Sequence, residues 1–231
     1  MTDVWARSYC TSASIRTDLS MKLKLKSAHF YGIVDLGYVT VERALSVAQS
    51  LADGGAGVIQ LRAKGCEVAE ILDLAKKLKP ICQENGVPFI VNDYPEIALA
   101  VGADGVHIGQ DDGSLSDVRA IVGEEMIVGR STHSAEQAEL ALSEGFDYIG
   151  FGPIFPTPTK LGRPRIGLNN VQLVQSTVGQ DIPVFCIGGI RRDNLELVMS
   201  AGAQRVVVVS DVLSAEDVTQ AAQQIVTQLM S

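Results

Sequence analysis

A chain of 231 residues with 46% apolar and 20% charged residues can build a sizeable core, and its length fits one α/β barrel without requiring a second domain. The apolar content is aliphatic, with only 5% aromatic residues, as suits parallel strands buried on both faces. A formal net charge of −8 argues against a nucleic-acid partner, which needs a basic surface; it leaves anionic small molecules open, because a few cations in one cleft set the local field.

Residues 1–27 are polar and then Lys-rich (Met21 to Lys26) and lack the apolar centre of a secretory signal. They read as a disordered extension, with Met21 an alternative start, ahead of a single domain over 28–231. The sequence predicts strands at His29–Asp35, Val58–Arg62, Phe89–Asn92, Gly105–Gly109, Ile127–Thr132, Tyr148–Pro153, Val184–Gly189 and Arg205–Ser210. Helical periodicity follows each strand, as in Ile71, Leu72, Ala75 and Leu78. Glycines at Gly54, Gly102, Gly145 and Gly202 recur between a helix and the next strand, where a left-handed residue ends a helix. Strands alternating with helices imply a parallel sheet. Eight such units favour closure into a (β/α)8 TIM barrel, and no GxGxxG follows the first strand to support a dinucleotide fold.

Catalysis in such barrels sits at the C-terminal strand ends, and polar residues gather there. Alternation after strand two puts Gln60, Arg62 and Lys64 on one side, a cradle for an anion. Strands three and four end in Asn92-Asp93 and Gln110-Asp111-Asp112. Asp93 and Asp112 either share a divalent cation such as Mg2+ or cap the helices that follow. Strand five ends Ser131-Thr132-His133-Ser134: Ser131 can donate to phosphate, Ser134 suits a helix cap, and His133 is a proton carrier or a structural histidine. The loop from Gly152 through Thr157, Pro158, Thr159 and Lys160 to Arg165 is long and cationic, the kind that closes over a site. Gly188-Gly189 and Val209-Ser210 mark the phosphate site common in barrels.

Taken in order, Gln60 to Lys64, Asn92-Asp93, Gly105 to Asp112, Ser131 to His133, Gly150 to Lys160 and Gly188 to Ile190 resemble the thiamin phosphate synthase family, from about His29 to Ser210. The resemblance implies coupling of a hydroxymethylpyrimidine diphosphate to a thiazole phosphate, with Mg2+ and release of diphosphate. It implies that Gln60, Leu61, Arg62, Ala63, Lys64 and Asn92 bind the pyrimidine diphosphate, joined by Ser131 and Lys160. Asp93 and Asp112 would hold Mg2+. Thr157, Pro158, Thr159, Gly189, Val209 and Ser210 would receive the thiazole phosphate. Arg62, Lys64, Ser131 and Lys160 would carry catalysis, since diphosphate departs with charge that cations and donors neutralise.

Two rivals stand beside it. The Ser131 to Ser134 stretch also resembles the related thiazole tautomerases, which would use His133, and a non-catalytic barrel that binds thiamin precursors is the other. Gln204-Arg205 depart from the family's usual Asp-Gly before strand eight. Cys10, Cys66, Cys82 and Cys186 form no CxxC and read as reduced, cytoplasmic thiols. No apolar run approaches the roughly 18 residues of a membrane span, and a homo-oligomer remains open.

Overall fold

The structure, a computed structural model, describes residues 20–157 and 164–231. A short helix α1 (residues 20–27) leads into β1 (Phe30–Asp35), α2 (Val41–Asp53), β2 (Val58–Arg62), α3 (Val68–Glu84), β3 (Phe89–Asn92) and α4 (Pro95–Val101). The alternation continues with β4 (Gly105–Ile108), α5 (Leu115–Val122), β5 (Ile127–Thr132), α6 (Ala135–Glu144), β6 (Tyr148–Phe151) and α7 (Val171–Ser176). β7 (Val184–Ile187), α8 (Leu195–Ser200), β8 (Val206–Val207), α9 (Ser210–Leu213) and α10 (Val218–Met230) complete it. The strands pair in chain order, all parallel, and β8 returns to β1, so the expected (β/α)8 barrel is closed.

The helices form where apolar residues recur three and four apart. In α2, Ala44, Val47, Ala48 and Leu51 are buried; in α3, Ile71, Leu74, Ala75, Leu78 and Cys82 are. These stripes pack on the outward faces of the strands, which is why the strands read as unbroken apolar runs. Gly102 (φ 62°) and Gly145 (φ 95°) end α4 and α6 in the left-handed conformation, while after α2 that role passes from Gly54 (φ −78°) to Gly55 (φ 89°).

Several boundaries differ from the sequence reading: β1 starts at Phe30 rather than His29, β4 ends at Ile108 rather than Gly109, β6 at Phe151 rather than Pro153 and β7 at Ile187 rather than Gly189. β8 is reduced to Val206–Val207, because Ser210 already opens α9. The last eight residues of the expected extension 1–27 are helical instead. Leu25 of α1 is buried in the core, Lys22 Nζ pairs with Asp147 at 3.1 Å, Lys24 Nζ donates to Gly86 O at 2.7 Å, and the Lys26 carbonyl accepts from Arg205 Nη2 at 3.0 Å. Those partners precede β6, β3 and β8, so α1 covers the N-terminal end of the barrel, opposite the predicted site. No helix among the described residues is long and apolar enough to cross a membrane.

Candidate active site

The side chains that enter the barrel follow the two-residue period of each strand. Tyr31 and Ile33 come from β1, Gln60 and Arg62 from β2, Asn92 from β3, His107 from β4, Ser131 from β5, Tyr148 and Gly150 from β6, and Phe185 and Ile187 from β7. Together with His133, Thr157, Gly189, Val209 and Ser210 they line one cleft at the C-terminal rim. Gln60, Arg62, Asn92, Ser131, Thr157, Gly189, Val209 and Ser210 are thus brought together as the sequence led one to expect. Leu61 and Ala63, on the intervening positions, are packed into the hydrophobic core, so only their backbone can face a ligand. Pro158, Thr159 and Lys160 lie outside the described residues.

Arg62 is held in place by a residue that the sequence reading passed over. Asp35, 1% exposed at the end of β1, is the register partner of Arg62. Its Oδ2 accepts from Arg62 Nη1 at 2.8 Å and its Oδ1 from Gly37 N at 2.9 Å. A buried carboxylate is tolerable only when it is paired and hydrogen-bonded in this way. One edge of the guanidinium is thereby committed to the scaffold, and the side chain stays at the cleft.

Asp93 and Asp112 form the other charged element. Asp93 is the one non-glycine residue among those described with a left-handed backbone (φ 67°), and its N–H donates to His107 O at 2.8 Å. Burial raises its carboxyl above the ordinary range; Lys64 opposes that shift and the neighbouring Asp112 adds to it. Lys64 Nζ sits 2.9 Å from Asp93 Oδ2 and is half exposed. Asp112 Oδ2 accepts from Gly109 N at 2.7 Å. Neither carboxylate caps a helix: Tyr94 precedes α4, and Ser114 caps α5 by accepting from Asp117 N. Among the described residues no group of three or more His, Cys, Asp or Glu could enclose a metal ion. Lys64, Asp93 and Asp112 are not among the residues lining the cleft, although Asp93 directly follows Asn92, which does line it. Two adjacent carboxylates, one held in a strained backbone conformation, suit a hard cation that takes its remaining oxygens from water and a bound phosphate.

Across the cleft the wall is glycine and backbone. Gly188 (φ 100°) and Gly189 (φ 64°) follow β7, and the loop after β6 lies directly on them. A Cβ on Gly188 would come within 2.4 Å of Pro153 Cβ, and one on Gly189 within 2.6 Å of Pro156 O. Phe155 N donates to Gly188 O at 2.9 Å, so the loop carrying Thr157 is laced to the turn after β7. His133 lines the cleft, and its Nδ1 donates to Gly152 O. Ser134 caps α6 by accepting from Gln137 N.

Beneath these groups runs a buried polar chain. Gln60 Nε2 donates to Tyr31 Oη at 2.8 Å, Tyr31 Oη meets Tyr148 Oη at 3.0 Å, Tyr148 Oη meets His107 Nδ1 at 3.1 Å, and His107 Nε2 meets Ser131 Oγ at 3.0 Å. The sequence reading singled out its two ends and missed Tyr31, His107 and Tyr148. His107 shares a register level with Asn92, a relation that only the pairing of the strands reveals, and Tyr148 is two positions from Gly150.

A closed parallel barrel of eight strands, each joined to the next through a helical segment, with a cleft at its C-terminal rim, belongs to the (β/α)8 barrels. Residues 30–212 match the family model described as thiamine monophosphate synthase, and the chain belongs to that family. It is 43% identical over 183 residues to the thiamine-phosphate synthase of Thermus thermophilus, covering 79% of this chain and 87% of that protein. The thiamine-phosphate synthase of Gloeobacter violaceus is 39% identical over 216 residues, covering 92% of this chain. The chain spans only 61% of the Gloeobacter protein and 53% of the Nostoc one, a 40% identical thiamine-phosphate synthase matched over 81% of this chain. Among solved structures, thiamine phosphate pyrophosphorylase from Pyrococcus furiosus superposes with a TM-score of 0.79 at 34% identity, covering 90% of this chain and all of that one (100%).

Proposed function

We propose that the chain is a thiamin phosphate synthase, which joins 4-amino-5-hydroxymethyl-2-methylpyrimidine diphosphate to thiazole phosphate and releases diphosphate. The observation that carries this reading is the meeting, at one rim, of the Asp35-anchored Arg62 with Ser131 and Asn92, where β3 runs on into Asp93. Family membership supports it. The reaction breaks the C–O bond of the pyrimidine methylene, and the electron pair leaves with diphosphate. The aminopyrimidine ring supports the positive methylene until the thiazole nitrogen captures it.

Each residue then has a task. Arg62 and Lys64 neutralise charge as it gathers on the leaving diphosphate, and Ser131 donates to it. Arg62 is already oriented by Asp35, so little reorganisation is needed as the bond breaks. Asn92 and Gln60 orient the pyrimidine. Asp93 and Asp112 would hold Mg2+, which supplies further positive charge against the diphosphate. Gly189, Val209, Ser210 and Thr157 bind the thiazole phosphate through backbone N–H groups and a hydroxyl, as at the phosphate site of other barrels. Lys160, with Pro158 and Thr159, completes this assignment from the family resemblance, and closure of that loop would keep water from the methylene. No protein nucleophile is needed. The cysteines found free (Cys66, Cys82 and Cys186) support a reducing, cytoplasmic setting.

The test is incubation with both phosphorylated precursors and Mg2+, following thiamin phosphate and diphosphate together. Equimolar appearance of the two, abolished by a chelator, is the expected result. Isomerised thiazole without coupling, or bound precursors without turnover, would overturn the proposal.

A further inference from the structure

We infer that Arg192 is a positioning residue for phosphate binding: it neutralises the Asp211 carboxylate and holds it beside, not in, the wall proposed to receive the thiazole phosphate. The inference deepens the proposed reading and rests on it for the identity of that ligand. Two chain segments make the wall, Gly188 to Ile190 after β7 and Val209-Ser210 after β8, and all five residues line the cleft. The strands beneath them pair only at Cys186–Val206 and Ile187–Val207. Above that level the segments are joined through Arg192 and Asp211, neither of which is among the residues lining the cleft.

Asp211 directly follows Ser210 in the first turn of α9, so its charge lies one residue from a proposed phosphate contact. A bare carboxylate there would oppose binding of a phosphate, because like charges brought together in a partly desolvated cleft repel. This one is covered. Its Oδ2 accepts from Arg192 Nε at 2.8 Å and from the Arg192 backbone N–H at 3.2 Å, and its Oδ1 accepts from Nη2 at 3.5 Å. Arg192 Nη1 donates to Gln224 Oε1 of α10 at 2.8 Å, which fixes the guanidinium from a second side. The two side chains are 32% and 18% exposed, at the edge of solvent, where salt screens a charge less than on an open surface. Arg191 does not duplicate the role, since its guanidinium is forked onto Asp193.

A pair that only tied the two turns together would act through the bond itself, and removing the second partner would restore nothing. A pair that cancels a charge behaves differently. Loss of the arginine uncovers the carboxylate, and loss of the carboxylate as well returns the wall to neutrality. A double variant separates the two roles.

The test is titration calorimetry of the full chain with thiazole phosphate and with the corresponding unphosphorylated thiazole alcohol. Arg192→Ala is expected to weaken binding of the phosphate on the order of 10-fold and that of the alcohol by less than about 2-fold. Arg192→Ala combined with Asp211→Asn should return phosphate binding to within about 3-fold of the wild type. Arg192→Gln keeps a donor for Asp211 and removes the charge; it should show the same loss and the same rescue, and it decides should Arg192→Ala not fold. The inference is overturned if wild type and single variants bind thiazole phosphate alike, if the alcohol loses as much as the phosphate, or if the double variant is no better than the single one. Binding is read without the pyrimidine diphosphate, so a wild type that binds thiazole phosphate and couples nothing sinks the synthase reading alone, and the variants still decide this inference.

Discussion

Asp35 and Arg62 stand opposite each other across the β1–β2 pair and are joined at 2.8 Å, the carboxylate 1% and the guanidinium 12% exposed. Nothing in the sequence pairs them, since they come from different strands. Removing the carboxylate leaves a nearly buried cation without this partner. Asp35→Ala should therefore cost about 3 kcal/mol of stability, read by urea unfolding. Asp35→Asn keeps the shape and the bond from Gly37 but loses the charge, and it should lower kcat/KM at least about 10-fold with a smaller loss of stability. An Asp35→Asn enzyme with normal kcat/KM would show that Arg62 does not depend on this anchor.

Asp93 sets activity against stability. Its left-handed φ of 67° is one that glycine adopts freely, and its carboxyl is partly desolvated beside a second carboxylate. Asp93→Gly removes both costs and gives up the pair with a half-exposed Lys64, which contributes little. We expect it to stay within about 1 kcal/mol of the parent stability while losing activity on the order of 100-fold together with its response to Mg2+. Asp93→Val carries the same chemical loss, yet it should be less stable than Asp93→Gly by about 2 kcal/mol, because a β-branched residue resists that conformation. Equal stabilities for the two variants would mean that the backbone at 93 relaxes.

The pattern of what was legible follows from where the information lies. Eight short apolar runs bounded by turn glycines suffice to place the strands, and their order closes the barrel. The rim residues stand out because Gln60, Asn92, Asp93 and Asp112 are polar just where an apolar run ends. Tyr31, His107 and Tyr148 do not stand out. They sit inside runs such as Phe30 to Val34, where both faces of the strand are buried, so alternation no longer separates the barrel interior from the helix-facing side. Asp35 ends such a run, but an acidic residue has no evident place at a phosphate site until its arginine is seen. The end of β8 was overread because Val206 to Val209 is apolar throughout, while only Val206 and Val207 are paired.

The cysteines give a labelling test. Burial pushes the thiols of Cys82 and Cys186 up to about 12, which leaves on the order of one thiolate in ten thousand at pH 8. Cys66 is only partly buried. Iodoacetamide at pH 8 should therefore modify Cys66 in the native protein and spare Cys82 and Cys186 until denaturant is added, as read by peptide mass mapping. Native modification of Cys186 within minutes would mean that β7 opens locally, which its place in the closed barrel argues against.

Arg205 stands where the family resemblance leads one to expect a glycine, and the structure gives it a local purpose. Its Nη2 donates to Lys26 O at 3.0 Å, at the end of α1, while its buried Nε lacks a hydrogen-bond partner. Burial also lowers its pKa below the ordinary arginine value. The gain from holding α1 and the cost of the unpaired N–H oppose each other and are of similar size, roughly 1 kcal/mol each. Arg205→Ala should therefore change global stability by less than about 1 kcal/mol. Turnover should stay unchanged, because the cleft lies at the other end of the barrel. The effect should be confined to α1: amide hydrogen exchange over residues 20–28 is expected to speed up on the order of 10-fold, with strands β1 to β7 unaffected. Unchanged exchange there would mean that Leu25, Lys22 and Lys24 hold the helix by themselves and that Arg205 only shields the strand ends beneath it.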